Sequence, residues 1–286
     1  MRTAEAESAA ESAFHRVNFM AELLKANILT DVTFYRRSRL LFAFTLVFLL
    51  ITALQSLPPL FMNSGVQNFN SLQQIVSTLN FFILILSAGM GLLIISSHLR
   101  NRSLKMVFTK PCRPEIWLLS AFLSAGAMSL FLNVVVLGTG VLLSALWHLP
   151  VRVGLVFISA EAFVASLELI AYLILLAMVM HPAVAAIVAI IFNADLFYQF
   201  DLWTKAAIRS GNSSFALRMV ERLFHSLYIL LPIVYPFDKQ TQNIHTSLRV
   251  LSSEWKYLIF SLGYALALSA FCYCASLFAL KKRNHI

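Results

Sequence analysis

An apolar tract covering residues 153–200 constrains this chain more than any other feature. It is about twice as long as a membrane-crossing helix, which needs roughly 20 residues. A soluble core helix has no use for such a run. The rest of the chain agrees: 59% of the 286 residues are hydrophobic, 12% are charged, and mean hydropathy is +0.79. Soluble domains carry about 25% charged residues, so this chain cannot clothe a water-exposed surface. A soluble enzyme, a disordered regulator and a secreted disulfide scaffold are excluded. The expected class is an all-α polytopic integral membrane protein.

The tract divides at His181-Pro182, because proline breaks the helical hydrogen-bond ladder. It therefore reads as a fourth and a fifth span joined by a tight turn. The first span is expected over 40–57, closed by Pro58-Pro59, the second over 76–97, the third over 116–147 and the sixth over 258–280. Ahead of them, Val17, Met20, Leu23, Leu24 and Ile28 recur at helical spacing over 14–33. Arg16, Asn18, Glu22, Lys25 and Asn27 fill the positions between, as in an amphipathic helix lying in the membrane interface. The chain thus divides into a tail with interfacial helix (1–39) and one six-helix membrane domain (40–286). The first dozen residues hold no apolar core of the kind a signal peptide needs.

Lys and Arg set the orientation. The loop at 58–75 has none, whereas Arg100, Arg102, Lys105, Lys110 and Arg113 crowd the loop at 98–116, and Lys281, Lys282 and Arg283 end the last span. Both termini and the 98–116 loop are accordingly expected in the cytoplasm. One segment conflicts. The stretch 201–257 falls outside, yet it carries Lys205, Arg209, Arg218, Arg222, Lys239, Arg249 and Lys256. Within it, 223–235 is apolar but too short to cross, so a re-entrant or surface helix is expected there.

Chemistry-bearing patterns are few. No glycine is followed by lysine, so a phosphate-binding loop is absent, and neither H-E-x-x-H nor G-x-S-x-G occurs. The basic balance, formally +9, reads as anchoring to membrane lipid rather than nucleic-acid binding. Cys112, Cys272 and Cys274 lack metal-ligand or CxxC spacing and behave as small hydrophobes. Two carboxylates stand out in the fourth span. Glu161 and Glu168, seven residues apart, share one helical face. A charge near the centre of the bilayer costs roughly 2.5–3.5 kcal/mol on the insertion scale. Either both face a pathway or subunit seam, where Glu168 binds cationic cargo or couples to protons, or they are satisfied by a polar contact such as Asn80 or Asn133, or the acid is protonated and neutral. Asp195, in the fifth span, suits a dipping loop equally well.

The loop between spans two and three is the other candidate. Ser103 can cap a short helix with Leu104, Val107 and Phe108 on one side and Arg102 and Lys105 on the other. Pro111 ends it, and the chain re-enters the membrane at Trp117. A short amphipathic helix held between two spans suits a groove on a soluble partner; it suits an interfacial anchor on phospholipid equally.

The Ser103-Leu104, Thr109-Lys110-Pro111 and Arg113 pattern, in this order of elements, resembles the type-two permease subunits of ATP-binding-cassette (ABC) exporters. Leu227-Tyr228-Ile229-Leu230-Leu231-Pro232 followed by Phe237-Asp238 is similar to that family's stretch before the last span. The ending Phe278-Ala279-Leu280-Lys281-Lys282-Arg283 is similar to its usual close. His98, Arg100 and Arg102 stand where the family has acidic residues and a glycine, which implies a partner surface of different charge. The resemblance implies a dimer of permeases, homodimer or paralogue pair, driven by a separate ABC ATPase subunit. The chain itself would hold no cofactor and catalyse nothing, with ATP and magnesium on the partner. The 14–33 segment would be the elbow helix. Arg102, Ser103, Leu104, Val107, Phe108, Lys110, Pro111 and Arg113 would form the coupling element seated in the ATPase. The expected location is the inner membrane of a bacterium. Two other classes fit the residues: a proton-driven secondary transporter using Glu168, and a non-transporting membrane scaffold subunit.

Overall fold

The structure is a computed structural model and describes residues 2–37, 39–61, 65–100, 114–150, 153–191, 194–209, 214–230 and 252–283. Among these residues every regular element is helical. The helices are α1 (Arg2–Arg37), α2 (Arg39–Phe61), α3 (Gly65–Arg100), α4 (Pro114–Leu146), α5 (Val153–Val179), α6 (Pro182–Ile191), α7 (Ala194–Arg209), α8 (Phe215–Leu230) and α9 (Ser252–Arg283). Among the described residues, four stretches are long and apolar enough to cross a membrane: Gln74–Ser96 in α3, Pro114–Leu146, Val153–Val179 and Trp255–Lys282 in α9. The chain is an α-helical membrane protein.

Helix α5 is the hub. It packs against α3, α4, α6 and α9, and 61% of its apolar span is buried, against 17% for α9. Small residues set the close approaches. A Cβ on Gly91 of α3 would lie 3.7 Å from the Ile170 side chain and 3.9 Å from its Cα. On Gly140 of α4 it would lie 3.2 Å from Val76. Along the same seam the Ser87 hydroxyl donates to Ser129 at 3.0 Å. Close packing of this kind, supplemented by hydroxyl hydrogen bonds, is how helices associate where lipid leaves no hydrophobic drive between them.

These pairings also fix directions. Ser87 meets Ser129 and Gly140 meets Val76, so α3 and α4 are antiparallel. Ser159 donates to the Asn133 carbonyl at 3.2 Å and Gly126 faces Leu167, so α4 and α5 are antiparallel as well. The start of α9 meets the start of α5 through Trp255 and Phe157, rings 5.9 Å apart. Its end meets the start of α4, where Tyr273 donates to the Glu115 carbonyl at 3.0 Å and Lys281 pairs with the Glu115 carboxylate at 3.1 Å. One end of the bundle therefore brings Glu115, Lys281 and Lys282 together beside the last turn of α3 and is hereafter the basic end.

Turns follow the local chemistry. Helix α4 closes with Leu149 N–H donating to the Ser144 carbonyl (2.8 Å) and His148 N–H to that of Ala145 (3.2 Å), with His148 at φ 53°. That is a Schellman cap, and Pro150 follows it. Between α5 and α6, His181 is the N-cap, its Nδ1 accepting from the Ala183 N–H at 3.3 Å. Pro182 takes the first helical position, where its missing donor costs nothing. The break expected at His181-Pro182 is where the chain turns.

Several expected boundaries move. Helix α1 spans Arg2–Arg37 rather than 14–33, because the Ala/Glu-rich start is itself helix-favouring. Helix α2 runs through Pro58-Pro59 to Phe61, since a loss of ladder bonds confined to a helix's last turns leaves the rest intact. Helix α3 starts at Gly65, well inside the loop expected over 58–75. Its first turns are rich in Gln and Asn, and its 36 residues, about 54 Å, exceed the bilayer core of about 30 Å. The fifth span expected over 182–200 falls on α6 (Pro182–Ile191) and the first turns of α7 (Ala194–Arg209), with 192–193 outside the described residues; α7 goes on beyond it to pack on α8. The short helix expected over 223–235 begins earlier, at Phe215, where Ser214 caps it by accepting from the Leu217 N–H at 3.3 Å; residues 231–251 lie outside the described residues.

Candidate functional site

The sequence singles out Glu168, and the fold buries it completely, at 0% exposure, close to the middle of α5. Residues 157, 161, 164 and 168 form one stripe at helical spacing, and Phe157 of that stripe packs against Trp255 of α9. Glu168 and the half-buried Glu161 therefore sit at the α5–α9 seam. Across it α9 turns inward the small residues Ser261, Ala265, Cys272 and Ser276, all buried. Cys272 is buried and Cys274 exposed, as two residues of separation on a helix require.

Neither carboxylate oxygen of Glu168 has a hydrogen-bond partner among the described residues. The polar contact to Asn80 or Asn133 expected as one alternative is not made. Asn80, 6% exposed, has no hydrogen-bond partner for either side-chain atom among the described residues. The Asn133 amide donates to the Ser129 carbonyl at 2.9 Å, and its Oδ1 has no partner among the described residues. Each such group forfeits about 1–3 kcal/mol of desolvation. Asp195 lies in α7, outside the bundle's four long spans, and its side chain lies outside the described residues.

The second candidate, Arg102, Ser103, Leu104, Val107, Phe108, Lys110, Pro111 and Arg113, falls in 101–113, outside the described residues. Its two posts are described. Helix α3 ends at Arg100 and α4 starts at Pro114, with Trp117 only 4% exposed, so the chain does enter the bundle there.

Sequence reasoning missed the lock between the N-terminal helix and the bundle. Helix α1 packs on α4. Asp31, 7% exposed, accepts from the Ser124 hydroxyl at 3.2 Å, and the buried Tyr35 donates to the Met90 carbonyl at 3.1 Å. A signal existed: Leu24, Ile28, Asp31 and Tyr35 form one continuous helical stripe, so both polar residues prolong the buried face. Burial, reinforced by the Asp31 carboxylate, lifts the Tyr35 phenol above its ordinary range. A raised acid stabilises the fold fully below its unfolded value, about 10, and loses that contribution as pH rises further. The stability of the protein to denaturant should therefore fall above about pH 10, and Tyr35→Phe should remove the Tyr35 share of that fall at a cost of about 1 kcal/mol. An unchanged alkaline profile in the variant would show that Tyr35 does not hold the helix.

Together these features define a polytopic α-helical membrane protein with a buried acidic residue at an interhelical seam and an N-terminal helix bolted to its core. No protein-family model matches the chain, and no curated protein matches it.

Proposed function

We propose that this chain is the transmembrane permease subunit of an ABC exporter, working as a dimer whose seam carries the cargo and driven by a separate ATPase. The observation that carries the reading is the bolted helix α1. A helix fastened through Asp31 to α4 and through Tyr35 to α3 is tied to both posts of the corner at 101–113. A push on that corner would thus move α1, α3 and α4 as one lever, which is what coupling to an external motor requires. The motif Ser103-Leu104, Thr109-Lys110-Pro111, Arg113 supplies the handle.

Parity supports six crossings. Tyr35 bonds at Met90, toward the Arg100 end of α3, while α3 begins at the opposite end, which favours a crossing by α2. Helix α5 ends at the basic end and α9 begins at the other, which favours the expected fifth crossing between them; the total is then six, with both ends of the chain at the basic end. That end is cytoplasmic by the positive-inside rule, in a bacterial inner membrane.

Val107→Pro, on an affinity-tagged chain extracted in mild detergent, is expected to abolish recovery of an ATPase subunit with unchanged membrane insertion. Equal recovery from variant and wild type, or no ATPase with either, overturns the assignment.

A second reading is favoured by one observation, the buried Glu168 carboxyl without a hydrogen-bond partner among the described residues. A proton-coupled carrier needs such a group. Proton-driven flux in liposomes holding this chain alone, lost in Glu168→Gln, would establish it in place of the permease. A scaffold subunit predicts neither flux nor ATPase.

A further inference from the structure

Helices α7 and α8 form a hairpin whose chief packing partner is each other. Its seam is built from Phe197 and Phe200 against Phe224, with ring centroids 6.1 and 5.2 Å apart. Beside them Asp201, 2% exposed, pairs with Lys205 at 2.7 Å and faces His225 at 3.6 Å. The described part of each helix covers 16 residues, Ala194–Arg209 and Phe215–Leu230, and each is amphipathic, with apolar and charged residues on different sides. Each then carries two further sectors. One is apolar and open: Trp203 is 67% exposed, Phe215 77%, Met219 54% and Leu223 57%. The other is basic. Among the described side chains of the hairpin, the exposed members of the Asp, Glu, Lys and Arg set are all arginines: Arg209, Arg218 and Arg222. Arg218 and Arg222 are four apart and so share one side of α8, next to the apolar sector. Asp201 is buried and paired, and Glu221 is half-buried.

The hairpin is also held at the membrane. Helix α7 is described from Ala194, three positions beyond Ile191 of α6, and α6 packs on α3 and α5. A tethered amphipathic pair, apolar on one side and arginine-edged on the next, has the build of an element lying in the bilayer interface. Arginine there meets phosphate as a planar fork of donors.

We infer that the α7–α8 hairpin is a binding site for anionic phospholipid. Trp203, Phe215, Met219 and Leu223 sink into the acyl boundary, and Arg218 and Arg222 hold the headgroup phosphate. The inference stands apart from the transport reading. It also accounts for Arg218 and Arg222, two of the seven basic residues of 201–257 that the orientation rule leaves unexplained: as lipid ligands they do not report sidedness.

The test uses the full chain in phosphatidylcholine nanodiscs, with brominated phosphatidylglycerol or brominated phosphatidylcholine at the same mole fraction. The Trp203 signal is isolated by subtracting a W203F variant. Brominated phosphatidylglycerol should quench Trp203 more strongly, with an enrichment of about fivefold per arginine. R218Q/R222Q should lose that excess while brominated phosphatidylcholine still quenches, which shows the hairpin folded and inserted. R218K/R222K should keep most of the excess. Equal quenching of the wild type by the two lipids overturns the headgroup site. Absence of quenching by either overturns the interfacial placement, and a disulfide formed between two copies of a Met219→Cys variant would show that a second copy covers this face instead.

Discussion

Replacing Glu168 by methionine is expected to raise the thermal stability of the detergent-solubilised protein, by about 1–3 kcal/mol, the penalty of an unsatisfied buried polar group. The residue is fully buried, and both carboxyl oxygens go without a hydrogen-bond partner among the described residues. Methionine keeps a comparable volume and adapts to irregular packing, so the α5–α9 seam should not open. Glutamine at the same position should not stabilise, because an amide offers polar atoms to the same dry surroundings. Lysine should be strongly destabilising, since a buried charge without a counter-ion is among the costliest changes. If Glu168 works in transport, methionine and glutamine should both lose activity, whatever they do to stability. A methionine variant that melts below the wild type would mean that the carboxyl has a stabilising partner, and it would remove the ground for assigning it a working role.

The second large effect concerns Gly91. A Cβ at this position lies at ordinary contact distance from Ile170, so Gly91→Ala should fit. It should match or slightly exceed the wild type, since alanine favours helix by about 1 kcal/mol over glycine. Leucine has no such room. Its branch would run into the Ile170 main chain, whose Cα and O both lie 3.9 Å from the Cβ position. Helix α3 would be forced away from α5, and overpacking of this kind costs about 1–3 kcal/mol or more. Because α3 also holds Tyr35 through Met90, Gly91→Leu should free α1 as well, read as faster hydrogen exchange in both helices. Equal melting temperatures for the alanine and leucine variants would mean that the two helices do not approach as closely as described.

Much of the architecture was legible from composition and spacing. The third span expected over 116–147 is Pro114–Leu146, the fourth is Val153–Val179, and the turn at His181-Pro182 is where the chain bends. Long uninterrupted apolarity leaves helix as the only way to satisfy backbone groups in lipid, and proline removes the donor that would carry the helix on. Helix ends were legible only where such a residue marks them. At α1 and at the start of α3 polar but helix-permissive residues continue the element beyond its apolar part, and hydropathy does not register them.

Glu168 was visible as an outlier, a carboxylate in mid-span, but its lack of a partner was not. Whether a buried polar group is satisfied depends on which side chains neighbouring helices bring to the same depth, and here Asn80 and Asn133 do not reach it. The same holds for Asp31 and Tyr35: their stripe is written in the sequence, but the hydroxyl and carbonyl they meet belong to α4 and α3. The hairpin of α7 and α8 is a further case. Its residues are alternately apolar and basic, and only the pairing of the two helices shows which apolar sector is used internally and which is left open. The sequence by itself thus determined the solvent this protein folds in, the helical character of its spans and the position of its sharpest turn, because these depend on local hydrogen bonding and transfer of side chains to lipid. The tertiary structure alone decided which polar groups are satisfied and which apolar faces stay open, because those depend on the depth and rotation at which separate helices meet.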